Sequence, residues 1–320
     1  MNFLGLPLGY AILYVYKVVQ NYALAIIIFT VILRIVLLPM EIKKLKSIAK
    51  NNAYQPYINE INKKYAKNFT KRTEELQKFN QEHDINLAAG CLPTLLPLLV
   101  LIGMFDVIYH PLVHILHLSP EIIKNATDIF KASFPNVNSN AIQLNLINDV
   151  VADPSKYSAL GSDVVESIKS IDLNFLGFNI GKVPNLTSFA VVFPILSLVF
   201  SFLQNIVGLK TNSMPTTGGS SALKILMFGM PIVSLFISLN LPIGISIYWI
   251  VGYIVQILQT LALSRFCNFN ELREKAVEEV EMVRRNKKKK LIESQSGKED
   301  LKGNDRISLA RRALSEKYDD

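Results

Sequence analysis

Apolar residues in this chain gather into runs of about twenty, the length a helix needs to cross roughly 30 Å of bilayer hydrocarbon. Five such runs are predicted to span a membrane, at about 22–40, 89–109, 187–208, 223–240 and 243–263. Residues 3–20 are apolar too. They are rich in tyrosine and interrupted by Pro7 and Gly9, so a helix in the membrane interface over 1–21 suits them better than a sixth span. They show no charged leader, cleavage site or lipobox cysteine, so no signal peptide is expected. The fold class expected is an all-α polytopic membrane protein.

The polar stretches divide the rest. Segment 41–88 reads as a helical hairpin: Glu41 to about Lys50 continues the first span, a second helix begins after Pro56, and a third piece covers Lys71 to about Glu82. Tyr57, Ile58, Ile61 and Tyr65 recur at three- and four-residue steps and give that hairpin one apolar stripe. Segment 110–186 has helical pieces at 120–133 and 160–171 among Asn, Pro and Ser loops, and is expected to be a loop or small cap. Residues 187–264 hold the third to fifth spans, with a flexible linker at 209–222, and 265–320 form a tail in which Glu271 to Arg285 reads as helix.

Charge orients the spans. Ten Lys and Arg lie within 41–86 and another 15 from Arg265 onward, whereas 110–186 has five lysines against seven acidic residues. The positive-inside rule therefore predicts a cytoplasmic hairpin and tail, an external 110–186, an outside N-terminus and an inside C-terminus. The net charge of +8 is mostly this topology signal. Cys91 and Cys267 fall near cytoplasmic span ends, where a disulfide is not expected.

Within this pattern Arg34 stands out. It lies six residues before Met40, about 9 Å from the cytoplasmic end at helical rise, and a guanidinium at such depth costs at least roughly 2.5–3.5 kcal/mol on insertion scales. It could snorkel to the headgroups. Proline in spans two to four (Pro93, Pro97, Pro194 and Pro231) bends the helices and frees carbonyls that need partners. Thr30, one turn from Arg34, Ser197, Ser201, Gln204 and Asn205 in span three, and Gln256 and Gln259 in span five add polar faces at helical spacing. With Arg34 they favour a hydrophilic pocket open to the cytoplasm over snorkelling.

Other candidate chemistry is sparse. His110, His114 and His117 would share a helical face, a spacing that can hold zinc, but the motif has no carboxylate and sits at an interface, so no metal is assigned. Asp106 is the only acidic residue in a span, near its outer end, where solvation or a helix-end role is expected. Trp249 and Tyr248 read equally as packing residues or interface anchors. No phosphate-binding glycine loop, metalloprotease helix or nucleophile elbow occurs. Neither enzyme chemistry nor a cofactor is expected. The basic run Lys287, Lys288, Lys289 and Lys290 suits ribosomal RNA or anionic lipid.

One ordered set of residues resembles a known family. Asn21-Tyr-x-Leu-Ala-Ile-Ile-x-Phe-Thr30-x-x-x-Arg34-x-x-x-x-Pro39 is similar to the first core span of YidC/Oxa-type membrane protein insertases. Gln55-Pro56, Gly90-Cys-Leu-Pro93, Phe193-Pro-Ile-Leu through Phe202-Leu-Gln204, and Met230-Pro231 followed by Pro242-x-Gly244-x-x-x-Tyr248-Trp249 continue the likeness, over roughly 20–110 and 187–264. The resemblance implies five spans around an inward-open hydrophilic groove that receives a nascent protein's polar tail while its apolar helix leaves laterally into lipid. Arg34, Thr30, Ser201, Gln204, Tyr248 and Gln256 are the groove residues it implies. The partners it implies are nascent membrane proteins, the ribosome, the general translocon and targeting machinery, and anionic lipids.

The external segment is longer than relatives without a large periplasmic domain usually carry, so no role transfers to it. The expected address is the cell membrane of a Gram-positive-type bacterium. The alternative is a small-molecule transporter or channel using Arg34 as an anion site. Transporters usually show internal repeats, and none is evident here.

Overall fold

The computed structural model describes residues 5–82, 99–135, 141–211 and 221–266, together with parts of a helix between 271 and 286. Apart from one two-stranded hairpin, its regular elements are helices. Cys91, Cys267, Pro93, Pro97 and the Lys287–Lys290 run, each given an expectation above, lie outside the described residues.

Helix α1 (Gly5–Val19) is unbroken, because Pro7 falls in its first turn, where a backbone donor has no partner to lose. α2 (Tyr22–Val36) starts at Asn21, whose side chain accepts from the Leu24 N–H, and ends before a turn at Leu37. α3 (Leu38–Lys64) then leaves at 57° to α2. The helix holding Glu41 to Lys50 does follow the first span, but across a bend that the expectation from sequence did not include. Pro39 lacks the N–H that would bond the Ile35 carbonyl, so the chain restarts a helix with proline in its first turn.

A correction concerns Pro56, which lies inside α3 and does not begin a new helix. Pro56 itself is exposed, and the carbonyl its ring leaves without an N–H partner is that of the buried Asn52. Residues on both sides of it, Tyr54, Tyr57, Ile58 and Ile61, pack on Phe79 of α4 (Phe69–Glu82) and on Val280. That shared contact holds one continuous helix across the proline. Tyr54 meets Phe79 edge-on, with ring centroids 6.0 Å apart.

α5 (Leu99–Tyr109) leads into the short α6 (Pro111–His114) and then α7 (Pro120–Ser133), which starts on a Ser119 cap. α8 (Ile142–Ala152) was not anticipated; a 3₁₀ stretch (Pro154–Leu160) and α9 (Ser162–Lys169) follow. β1 (Asn174–Phe175) and β2 (Phe178–Asn179) pair antiparallel across Leu176-Gly177. Both turn residues have positive φ, as a type I′ turn demands.

This segment contributes Phe130, Leu144, Leu146, Ile147, Tyr157 and Ile168 to one continuous core shared with α1, α2 and the helices that follow. Asp149 inside it accepts from Lys156 at 2.5 Å and from the Tyr157 hydroxyl at 2.6 Å. Burial, and then that carboxylate, push the Tyr157 pKa up, so the hydroxyl stays a donor.

α10 (Val192–Lys210), α11 (Ser221–Ser238) and α12 (Ile243–Phe266) complete the described body. α12 packs against both α10 and α2, and α11 against α10. Two stretches, Phe189–Lys210 and Ile243–Phe266, are each long and apolar enough to cross a membrane, and α2 with α3 makes a third if the bent pair is one span. Gly5–Val19, Leu99–Tyr109 and Met227–Ser238 are shorter apolar helices. The segment after α6 is stitched to the starts of α2 and α12. Asn21 Nδ2 donates to Asp172 and to the Asn174 carbonyl, and the Gly244 N–H donates to the Ile180 carbonyl.

Candidate functional site

Arg34 sits in the last turn of α2 and is half-buried. Its Nη1 donates to Gln256 Oε1 at 2.6 Å, and Gln256 Nε2 donates onward to Glu41 Oε1 at 2.7 Å. The carboxamide is oriented by chemistry: only its oxygen can face a guanidinium, and only its NH₂ can face a carboxylate. One turn earlier on α12, Gly252 leaves room for the side chain, since a Cβ there would lie 3.2 Å from Arg34 Nη2. Gln259 Nε2 donates to the Arg34 carbonyl at 2.9 Å, one of the α2 carbonyls left without an ordinary helical partner. Two glutamines of α12 thus hold both the side chain and the backbone of Arg34. Among the described residues Arg34 has no direct ion pair.

A cavity of about 450 Å³ opens beside α10, α11 and α12. Ser201, Gln204, Asn205, Trp249 and Tyr253 are on its wall. Ser234 shares that wall with Ser201 and Tyr253, and its hydroxyl donates to the Pro231 carbonyl at 2.8 Å. Asn205 has a distinct task. Pro231 cannot donate to the carbonyl four residues back, Met227, and Asn205 Nδ2 donates to that carbonyl at 2.6 Å. The carbonyl freed by the proline kink is therefore satisfied from the neighbouring helix, as hydrocarbon surroundings require.

The remaining predicted residues are placed as follows. Tyr248 is buried on α12, one turn before Gly252 and within the electrostatic reach of Arg34. Thr30 is buried, and its hydroxyl donates to the Ile26 carbonyl of its own helix at 2.6 Å. Sequence reasoning missed Glu41, Gly252 and Tyr253. Nothing local marked Glu41, because the bend at Leu37 breaks the helical spacing between it and Arg34.

The histidine motif does not assemble as a three-ligand set. His114 Nε2 lies 3.2 Å from Asp106 Oδ2, and His110 Nδ1 lies 3.0 Å from Asp106 Oδ1. His117 turns away, with positive φ, to stack on Tyr10. Of the solvation or helix-end role expected for Asp106, the structure shows a side chain only 8% exposed in the last turn of α5, where the two histidines take the place of water. This cluster presses on α1 at its two glycines: a Cβ on Gly5 would stand 2.0 Å from Asp106 Oδ2, and one on Gly9 2.4 Å from His114 Nδ1.

Comparison with known proteins places this arrangement. The family described as 60Kd inner membrane protein matches residues 14–271. The chain belongs to that family. It is similar to a protein of Caldanaerobacter subterraneus subsp. tengcongensis named membrane protein insertase YidC, 40% identical over 108 residues, 34% of this chain and 52% of that one. It is 26% identical over 273 residues to membrane protein insertase YidC 2 of Listeria innocua, covering 84% of this chain and 73% of that one. Membrane protein insertase MisCA of Bacillus subtilis is 25% identical over 262 residues, 80% of this chain and 76% of the relative. The aligned part thus spans about half the length of the first relative and about three quarters of the other two. Apolar helices and membership of the 60Kd inner membrane protein family make the chain a bacterial membrane protein. Thr30, Arg34, Glu41, Ser201, Gln204, Tyr248 and Gln256 all fall inside the matched family region, and Lys287–Lys290 lie beyond it.

Proposed function

We propose that this chain is a membrane protein insertase that also helps its clients fold. A nascent protein's polar tail enters a hydrophilic groove containing Arg34, and its apolar helix leaves sideways into lipid. Thr30, Ser201, Gln204, Tyr248 and Gln256 are assigned to that groove, which opens to the cytoplasm within five membrane spans. In this reading the hairpin 41–88 and the tail 265–320 are cytoplasmic, the N-terminus and 110–186 are external, and residues 1–21 lie in the outer interface. Lys287–Lys290 meet the ribosome or anionic lipid, and the general translocon and targeting machinery are further partners. The process involves no covalent step: the groove shortens the distance over which polar groups must shed water, and an arginine in a low-dielectric site attracts client carboxylates more strongly than one in bulk water.

The observation that carries the reading is the setting of Arg34. A permanently charged side chain in an apolar helix is held by two glutamines of α12 and has no direct ion pair among the described residues. The names of the relatives agree with it. A depletion–rescue assay tests it: a host's own insertase is removed, this chain or its Arg34→Ala variant is supplied, and protease accessibility of a single-span client's external tail is followed. Rescue by the wild type with at least about tenfold less by the variant is expected, equivalent to about 1.4 kcal/mol. Rescue by both would keep the function and demote Arg34. Failure of both, with protein in the membrane, would favour an anion transporter.

A further inference from the structure

Glu41 had no place in the expected groove, yet it ends the polar chain that starts at Arg34. The three groups come from three helices: the guanidinium from α2, the carboxamide from α12 and the carboxylate from α3 beyond the bend at Leu37. Gln256 is 6% exposed and links the two charges through hydrogen bonds of 2.6 and 2.7 Å. Lys44 Nζ lies 3.1 Å from the same Glu41 oxygen and is the cation paired directly with that carboxylate, whereas Arg34 reaches it only through Gln256.

We propose that Glu41 is the resident counter-anion of Arg34, kept one amide away by Gln256, and that it sets how strongly the site prefers acidic client segments. The inference deepens the insertase reading above and rests on it. Arginine offers five N–H donors and cannot release its proton. A carboxylate paired directly with it would occupy the donor fork and cancel the charge. A bridging amide takes Nη1 alone, so the other donors are left for an incoming carboxylate, while Glu41 still lowers the local positive potential through the low-dielectric gap. A bare arginine at this depth would hold any anion, client or headgroup, too indiscriminately for release. With Glu41 in place, an acidic client segment competes against a carboxylate that is already present.

The two obvious substitutions should act with opposite signs, which a general loss of structure cannot imitate. Purified protein in nanodiscs would be titrated with two single-span peptides, identical except for two Asp or two Asn in a short polar tail, and the affinity ratio recorded. Wild type is expected to prefer the Asp peptide modestly. Glu41→Gln keeps the shape, removes the charge and should raise that ratio about three- to tenfold. Gln256→Glu puts a carboxylate directly against the guanidinium and should bring the ratio to one or below. A ratio unchanged in both variants, a ratio that falls in Glu41→Gln, or a wild type with no preference would each overturn the inference. Rescue in the depletion assay reads the insertase function separately, so the two failures cannot be confused.

Discussion

The two halves of α12 live in different solvents. From Ile243 to Tyr248 six consecutive residues are buried, so protein surrounds the helix on every side. Beyond that, burial falls on Gly252, Gln256, Ile257, Thr260 and Leu263, a single face. α2 repeats the contrast. Tyr22, Ala23, Ala25, Ile26, Phe29 and Thr30 are buried, whereas Ile35 and Val36 are 60% and 67% exposed next to Arg34. At the first end the segment 110–186 and α1 supply the surroundings, and backbone groups are tied across helices: the Tyr22 hydroxyl donates to the Val107 carbonyl at 2.7 Å and the Tyr16 hydroxyl to the Ser170 carbonyl at 2.9 Å. At the second end, apolar faces are left for lipid and one polar face for the arginine. The comparison teaches where rigidity and function separate: a closed, protein-solvated end anchors helices whose other ends stay open.

The sharpest way to break this contrast is to truncate a core residue at each end. Phe130 is buried in the closed end among Phe134 and Lys156. Phe130→Ala should cost about 3–5 kcal/mol, because a packed, enclosed site collapses little around the void. Leu45 sits in a small cluster with Leu263, Leu38 and Ile42, and Leu45→Ala should cost about 2 kcal/mol, the lower end for such changes. Thermal unfolding in nanodiscs reads both, and equal losses would erase the difference. A smaller effect sharpens the same point at the kink of α11. Asn205→Leu orphans the Met227 carbonyl and should cost about 1 kcal/mol. Adding Pro231→Ala restores a backbone donor to that carbonyl, so a double-mutant cycle should show a coupling of similar size. Additive effects would mean that the Asn205 bond and the proline are unrelated.

Much of this was legible in the residues. Helix α7 spans the helical piece expected at 120–133, and Arg34 with Gln256 was recoverable because charge and amides are conspicuous against an apolar background. What was hidden shares one cause: it depends on partners distant in sequence. Pro56 reads as a helix breaker until Phe79 and Val280 are seen to grip both sides of it. Glu41 reads as hairpin surface until Gln256, 215 positions away, reaches it. Asp106 reads as a wet residue at a span end until two histidines enclose it, and α8 lacks the cap that marks α7. Local pattern reports which residues need a partner, and only the fold reports which partner they find.

An effect that is absent at neutral pH and grows on acidification also tests the closed end. Burial lowers the His114 pKa, with Asp106 opposing that shift and His110 and His117 adding to it. The geometry explains the balance: Nε2 faces the Asp106 carboxylate, while Nδ1 is pressed toward the Gly9 backbone. An unfolded imidazole titrates near 6.5, so below that pH the unfolded chain binds a proton that the folded one resists. The stabilisation is fully present above about pH 6.5 and is lost as pH falls through the folded value. Wild type should therefore lose stability on acidification more steeply than His114→Gln, by at most about 1.4 kcal/mol per pH unit for one proton. Unfolding midpoints from pH 7.5 down to 5 would show the two curves diverging only below about 6.5. Parallel curves would mean that the cluster takes up its proton without strain, and that the end sealed by α1 is looser than its burial indicates. A steeper curve for the variant would reverse the sign and assign the dominant influence to Asp106.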